Sequence, residues 1–276
     1  MPTPVTFNEK VRYKMLADRR PLLTTFADKL AVRGYVESTV GAGVLTELYA
    51  VTSVPESLAQ EALPSEFALK PTHASGACII VAGFAPPDAE VPDSSEGWIE
   101  ALVRPDLVSW DSLVALCQKW IARPYSWHEW AYRKVPPRVL VEELLADGGR
   151  APIDYKLFVF HGRVRMIQVT LDRFERLTRR LYTPDWQPLD VEYGGAVGVD
   201  VERPHGLPEM LDIAERLGVD TDFVRVDLYC LGNRIVFGEL TNYPLAGLGE
   251  FRPPEFDHWL GTWWTLPKRW RYGPVK

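Results

Sequence analysis

The sequence has few cysteines, no long apolar run and no surplus of positive charge. Three cysteines among 276 residues, Cys78, Cys117 and Cys230, lie far apart, which argues against a disulfide framework or a zinc site. The longest apolar run, residues 78–85, has eight residues, whereas a membrane-spanning helix needs about 20. With 37 acidic and 31 basic residues the formal net charge is −6, so the basic surplus of a nucleic-acid-binding protein is missing.

The composition that remains is that of a globular protein. Hydrophobic residues make up 46% of the chain and charged residues 25%, as in ordinary soluble domains. The length predicts one large domain or two modest ones. Residues 1–10 show no apolar stretch of the kind found in signal peptides, and we therefore expect a cytoplasmic protein.

Helical and strand patterns are mixed along the chain. Apolar residues recur at helical spacing in residues 26–36 and 207–218. Alternation of apolar and polar residues predicts two β-hairpins, which turn at residues 161–162 and 232–233. These patterns predict both helices and antiparallel strand pairs.

The second hairpin carries a candidate metal site. If it turns at residues 232–233, Asp227 and Glu239 are nearly cross-strand neighbours, and Arg225 projects from the same face as Asp227. Two carboxylates and an arginine on one sheet face suit Mg²⁺ that bridges phosphate groups. An exposed cross-strand salt bridge is the alternative.

Three further groups of residues can bind a ligand. Lys70 and the polar loop 71–76 can present an ammonium group and backbone N–H groups to phosphate, although an ordinary hairpin turn would look the same. Glu142 and Glu143 end an apolar strand, where either they are solvated or one of them faces inward and needs a partner. Asp154 and Lys156 share a strand face, and they either line the same cleft or pair with each other.

Eight sequence strings, taken in order, resemble the ATP-grasp enzymes and most closely the TupA-like ATP-grasp family. The resemblance covers roughly residues 6–262. Its carriers are TFNEKV (6–11), ADKLAVRGYV (27–36), LPSEFALKPTHASG (63–76), PRVLVEELL (137–145), DYKLFVFHG (154–162), DR (172–173), RVDLY (225–229) and GELTNYPLAGLGEFRP (238–253).

The resemblance implies a fold of two α+β subdomains, each with an antiparallel sheet, that clasp ATP behind a short N-terminal lobe. It divides the chain into an N-terminal lobe (1–62), a first subdomain (63–140), a second subdomain (141–262) and a C-terminal tail (263–276).

The resemblance also implies roles for individual residues, with ATP and Mg²⁺ as cofactors. The implied metal ligands are Asp227, Glu239 and Thr241; the implied catalytic residues are Arg225, Lys156 and Arg173. The implied nucleotide-binding residues are Lys29, Lys70, His73, Ser75, Gly76, Glu142, Glu143, Leu144, Leu145, Asp154 and Lys156. Many related ligases carry E-x-N at the metal strand, whereas this chain reads Glu239-Leu240-Thr241 with Asn242 one position later, which leaves the third ligand open.

The implied activity is ATP-dependent ligation of a carboxylate to an amine through an acyl phosphate. The implied substrates are an amino acid, a peptide or a uronic acid in the assembly of a cell-surface polymer or secondary metabolite. The expected partners are these small molecules, without nucleic acid or a membrane span, and a homodimer is compatible with the sequence. A kinase that phosphorylates a hydroxyl group and a non-catalytic nucleotide-binding module are the alternatives.

Overall fold

A computed structural model describes residues 3–93, 97–171, 174 and 177–267. Helices and strands alternate irregularly, and the two main sheets are largely antiparallel, which confirms the predicted α+β class. No helix within these residues is long and apolar enough to cross a membrane.

The described residues form six α-helices and twelve β-strands. The helices are α1 (Phe7–Ala17), α2 (Pro21–Ala27), α3 (Ala31–Val40), α4 (Trp110–Ala122), α5 (Leu207–Leu217) and α6 (Glu255–Thr262). The strands are β1 (Leu48–Thr52), β2 (Phe67–Pro71), β3 (Cys78–Val81), β4 (Glu100–Val103), β5 (Val139–Glu142), β6 (Asp154–Phe160), β7 (Arg163–Leu171), β8 (Thr178–Tyr182), β9 (Glu192–Tyr193), β10 (Phe223–Leu231), β11 (Arg234–Thr241) and β12 (Phe251–Arg252).

The first sheet has the strand order β1-β5-β2-β3-β4, in which only the β3–β4 pair is parallel. Helix α4 packs on it because Leu113, Leu116 and Trp120 recur on one side of the helix and are buried. The Trp120 indole also donates a hydrogen bond of 3.0 Å to the Gly97 carbonyl. This sheet and its helix form a core of their own.

The second sheet has the strand order β11-β10-β6-β7-β8 and is antiparallel throughout. One face is covered by α5, whose buried stripe includes Leu207, Met210, Ala214 and Leu217. Each of the larger side chains contributes roughly 1.5–3 kcal/mol by its burial. This face is therefore the main apolar core.

The opposite face of the second sheet is covered only in part. Helix α1 starts at a capping box, in which the Thr6 hydroxyl accepts from the Glu9 backbone and the Glu9 carboxylate accepts from the Thr6 backbone. It buries Phe7 against Phe223 and Trp264, at ring-centroid distances of 5.1 and 6.0 Å. The uncovered part of this face carries charged side chains and borders the first sheet.

Several sequence predictions differ in detail from the structure. The helix predicted at 26–36 is divided, because α2 ends at Ala27 and α3 begins at Ala31. Strand β1 lies within the predicted N-terminal lobe yet pairs with β5 in the first sheet. Trp264 is fully buried within the predicted C-terminal tail. The divisions at residues 62, 140 and 262 remain a proposal.

Candidate active site

A cavity of about 420 Å³ lies between the two sheets. Lys70 of β2 and Glu142 of β5 line it from the first sheet, and Lys156 and Asp227 line it from the second. Because it draws charged groups from both sheets, we take this cavity as the candidate site.

Strand register brings the acidic residues of the second sheet together. Asp227 pairs with Glu239 across β10 and β11, and Arg225 pairs with Thr241. A β-bulge between Asp227 and Leu228 places the extra residue, Gly238, opposite no partner. The expected neighbourhood of Asp227 and Glu239 is thus present, with direct pairing in place of the expected one-residue offset.

Asp227 is held by two cations. The Arg225 guanidinium donates two hydrogen bonds of 2.7 Å to its two oxygens, and the Lys156 ammonium donates another of 2.7 Å. Lys156 also donates to Asp154. Burial alone would raise the pKa of Asp227, but the ion pairs with Arg225 and Lys156 outweigh it and lower this pKa.

The donor atoms suit Mg²⁺, although they are not gathered into a ready-made cage. Among the described residues, no group of three or more His, Cys, Asp or Glu side chains is placed to hold a metal. The carboxylates of Asp227 and Glu239 are hard oxygen donors, which Mg²⁺ accepts together with phosphate oxygens. The buried Thr241 hydroxyl meets no hydrogen-bond partner in the part of the chain that the structure describes, whereas the Asn242 amide donates to the Leu23 carbonyl at 2.8 Å. Neither side chain is among those that line the cavity. Of the two candidates for a third ligand, Thr241 is the one left without a partner.

On the first sheet, Lys70 and Glu142 form an ion pair. Their Nζ and Oε1 atoms are 2.5 Å apart, and the second oxygen of Glu142 accepts from the Thr46 hydroxyl at 2.6 Å. Arg33 lies 3.6 Å from the same oxygen. Burial favours the neutral forms of Lys70 and Glu142, but the attraction between their charges outweighs this effect. The pKa of Lys70 is therefore raised and that of Glu142 is lowered.

This pairing changes the expected role of the 142–145 segment. Glu142 and Glu143 were both expected to bind the nucleotide, but the carboxylate of Glu142 is directed to Lys70. Glu143 pairs with Arg234 at 2.5 Å and accepts from the Glu47 backbone at 3.1 Å. Leu144 and Leu145 line the cavity, so backbone groups and apolar side chains remain for contact with a base.

The loop after β2 divides its residues between cavity and core. Ser75 and Gly76 line the cavity, as does Lys29, whose ammonium donates to the Ala74 carbonyl at 2.6 Å and lies 3.6 Å from Glu239. His73 was expected at the nucleotide but is absent from the cavity lining.

The His73 ring belongs to the core of the first sheet. Its Nε2 atom lies 3.0 Å from the Trp120 carbonyl, and its ring meets the edge of Trp98 at 5.5 Å. Burial lowers the pKa of His73. In this position His73 anchors the loop on α4, and its role at the nucleotide stays a prediction. Arg173, the remaining expected catalytic residue, lies outside the described residues.

Sequence reasoning missed other residues at or near the cavity. Thr46, Arg179 and Tyr193 line it, and Glu129 lies close enough to Glu239 for the two charges to interact. Alternation along β8 could have pointed to Arg179, because this residue shares a strand face with Leu181. Across the sheet it pairs with Thr170 of β7. Nothing in the local pattern marks Tyr193 or Glu129.

A family model described as TupA-like ATPgrasp matches residues 9–264. The chain belongs to the TupA-like ATP-grasp family. No curated protein matches this TupA-like chain.

Solved structures similar to this TupA-like protein include several ATP-grasp enzymes. The ATP-grasp ligase PsnB with a minimal precursor is 13% identical, with a TM-score of 0.42, 81% of this chain covered and 54% of that one. D-alanine–D-alanine ligase from Bacillus anthracis is 12% identical, with a TM-score of 0.40 and coverages of 80% and 58%. N5-carboxyaminoimidazole ribonucleotide synthetase from Thermus thermophilus is 10% identical, with a TM-score of 0.42 and coverages of 85% and 51%. The TupA-like chain thus spans between half and three-fifths of these proteins.

Proposed function

We propose that the protein is an ATP-dependent carboxylate–amine ligase. The observation that supports this most is the pairing of the carboxylates Asp227 and Glu239 on adjacent strands. Arg225 and Lys156 lie beside them, and Lys70 lines the cavity from the other sheet. Carboxylates for a divalent cation, mixed with cations for phosphate oxygens, form the electrostatic setting that phosphoryl transfer requires.

In this proposal the chain supplies position and charge. Lys29, Lys70, Ser75 and Gly76 contact the phosphates, and the backbone of residues 143–145 contacts adenine. Asp227 and Glu239 hold Mg²⁺, which neutralises phosphate charge when it is bound.

The reaction proceeds in two displacements. A carboxylate oxygen of the acid attacks the γ-phosphorus and ADP leaves, which forms an acyl phosphate. An amine then attacks the acyl carbon, inorganic phosphate leaves, and the amine loses a proton as the amide forms. Arg225 and Lys156 neutralise charge on the transferred group, and no nucleophilic side chain is needed. The substrates we propose are an amino acid, a peptide or a uronic acid, and an amine.

The proposal is tested by nucleotide binding and by trapping. MgATP should raise the melting temperature, because a ligand that binds only the folded state stabilises it. With hydroxylamine as the amine, ADP release should depend on an added acid and yield its hydroxamate. Glu239→Gln should lower this rate by about 10²-fold or more, while the exposed Glu209→Gln should leave it unchanged. ADP release that needs a hydroxyl compound and gives no hydroxamate would identify a kinase and overturn the ligase proposal.

A further inference from the structure

One end of the cavity holds a guanidinium group without an acidic partner. Arg179 of β8 lines the cavity, and its guanidinium donates to the Gly194 carbonyl. It forms no ion pair with any acid in the part of the chain that the structure describes. Burial lowers the pKa of Arg179, and the nearby Arg225 acts in the same direction. A partly buried cation beside a second cation favours an anion at this place.

A buried hydroxyl group without a partner lies at the same end. Tyr193 lines the cavity but is only 2% exposed, and its hydroxyl meets no hydrogen-bond partner among the described residues. Its ring is fixed by stacking on Phe251, at a centroid distance of 4.2 Å. The ring also lies over Gly249, where a Cβ atom would be 2.5 Å from it. A rigid buried donor without an acceptor is costly unless a ligand supplies one.

Arg179 and Tyr193 are brought together because the chain after Tyr193 folds back beside β8. After Tyr193, residues 194–198 run beside Arg179, whose backbone N–H and carbonyl bond to Ala196 and Gly198 at 2.9 and 2.8 Å. Arg225 interacts electrostatically with both Arg179 and Tyr193. The two groups therefore line the same cavity as the arginine that we propose acts on the transferred phosphoryl group, within range of its charge.

Apolar side chains line the cavity beside them. Leu245 and Leu177 line the cavity, and their solvent-exposed fractions are 44% and 38%. Leu245 has a φ of +48° and Ala246 one of +52°, a left-handed conformation that is unfavourable for residues with a Cβ atom and is concentrated at ligand sites. This backbone presses the Leu245 side chain against Gly194, where a Cβ atom would be 2.6 Å from it.

We propose that Arg179 and Tyr193 bind the carboxylate of the acid that is activated, and that Leu245 and Leu177 contact an apolar group next to that carboxylate. This rests on the proposed ligase function and narrows its substrate. An amino acid or peptide terminus with an apolar side chain fits the site, whereas a uronic acid would place hydroxyl groups against two leucines.

The test uses MgATP, hydroxylamine and a panel of acids: leucine, phenylalanine, a dipeptide ending in leucine, glucuronic acid and galacturonic acid. We expect acid-dependent hydroxamate from the apolar acids. Arg179→Lys and Tyr193→Phe should each raise the KM of the acid by about tenfold or more, which is the effect of losing one hydrogen bond to a charged group. Their kcat and their melting-temperature shift with MgATP should stay close to those of the unaltered protein.

Two matched variants serve as controls. Arg180→Lys alters the adjacent arginine, which pairs with Asp200 and does not line the cavity. Tyr243→Phe removes another buried hydroxyl that meets no hydrogen-bond partner among the residues described, also away from the cavity lining. Both should leave the KM of the acid unchanged.

The possible results distinguish failure of this inference from failure of the proposed ligase function. A preference for the uronic acids, or an acid KM that Tyr193→Phe leaves unchanged, overturns the inference while the ligase function stands. If Arg179→Lys does not fold, Tyr193→Phe decides alone, because it removes a single oxygen atom. If MgATP stabilises the protein but no acid yields hydroxamate, the proposed function fails and this inference fails with it.

Discussion

Asp227 shows how a buried carboxylate in the cavity is stabilised by neighbouring cations. Both of its oxygens accept from Arg225, and one also accepts from Lys156. A buried carboxylate without such partners would be protonated or would destabilise the fold. In the proposed function, Mg²⁺ and phosphate would compete with these ion pairs, and Arg225 and Lys156 would then contact phosphate oxygens instead of Asp227.

Arg225→Lys should separate the structural role of Arg225 from its chemical one. The lysine keeps a positive charge near Asp227 but cannot donate the paired hydrogen bonds. We expect kcat to fall by about 10²-fold and the affinity for MgATP to change by less than about threefold, because the contact matters most in the transition state. Kinetics and calorimetry measure the two effects.

Arg225→Ala is the less informative variant. It removes one partner of a buried ion pair, which can cost about 3–5 kcal/mol of stability, partly offset here by Lys156. A folded Arg225→Lys with unchanged kcat would remove Arg225 from the chemistry.

Glu129 gives the protein a specific pH dependence. Burial, reinforced by the charge of Glu239, raises the pKa of Glu129 to about 7. Since this pKa is raised above its unfolded value, the folded state binds the extra proton, and stability falls as pH increases from about 4.5 to 7. Glu129→Gln should thus be more stable than the unaltered protein at pH 8, by at most about 3 kcal/mol, and equally stable near pH 4.5.

Urea unfolding at the two pH values measures this difference. The exposed Glu255→Gln is the control, and its stability relative to the unaltered protein should not change with pH. A difference for Glu129→Gln that is the same at both pH values would contradict the assignment.

At the scale of elements, the β10–β11 hairpin shows what the sequence can predict. Alternation and the Gly232-Asn233 turn predicted its position and the neighbourhood of Asp227 and Glu239, because both depend on local geometry. The bulge at Gly238 was not predicted. The Lys70–Glu142 pair was not predicted either, because it joins residues 72 positions apart. The position of His73 away from the cavity lining was not predicted, because a polar loop residue can turn to either side, and here α4 offers it a carbonyl.

Gly238→Ala should disturb the site more than the fold. A Cβ atom at Gly238 would lie 3.0 Å from the Tyr229 ring and 3.1 Å from the Asp227 carbonyl oxygen. We expect a stability loss of about 1–2 kcal/mol and a larger relative loss of ligase activity, because the backbone of Asp227 must shift. Melting temperature and hydroxamate formation measure the two effects.

Gly34→Ala is the matched control for this change. Gly34 lies within α3 with open space at its Cβ position, so alanine should stabilise the protein by roughly 0.5–1 kcal/mol and leave activity unchanged. If both alanine variants behaved alike, the bulge would have no special role in positioning Asp227.

At the scale of the whole molecule, a buried polar cluster ties α1 to the second sheet. Lys14 is fully buried and lies 2.7 Å from Asp222 and 3.0 Å from Asp18, and Arg20 and the Trp264 indole also donate to Asp222. Burial opposes ionisation of Asp222, but Lys14 and Arg20 outweigh it and lower its pKa. The cluster thus connects residues from three distant parts of the chain.

Asp222→Asn should lower the free energy of unfolding by about 3 kcal/mol at pH 7, because it removes one of the negative charges that balance the buried cations of the cluster. Since the pKa of Asp222 is lowered on folding, its contribution is present above about pH 4 and is lost as pH falls below that value. Urea unfolding measures this effect: the difference in unfolding free energy between the unaltered protein and Asp222→Asn should be smaller at pH 3 than at pH 7. The exposed Asp200→Asn should change stability by less than about 1 kcal/mol, and an equal loss in both variants would contradict the role of the cluster.

The packing of Phe7 on Trp264 also constrains how the protein is made on the ribosome. Helix α1 contacts an aromatic ring and carbonyl groups at Gly261 and Trp264, which are synthesised about 250 residues later than the helix. At roughly 5–20 residues per second, the apolar side of α1 waits for about 10–50 s without its final cover. The first sheet and α4, which are complete by residue 142, can fold during that interval. The second sheet is complete only when β11 ends at residue 241, and Trp264 follows α6. Nascent chains that stop before α6 therefore lack the Trp264 ring and should expose Phe7 to chaperones and proteases.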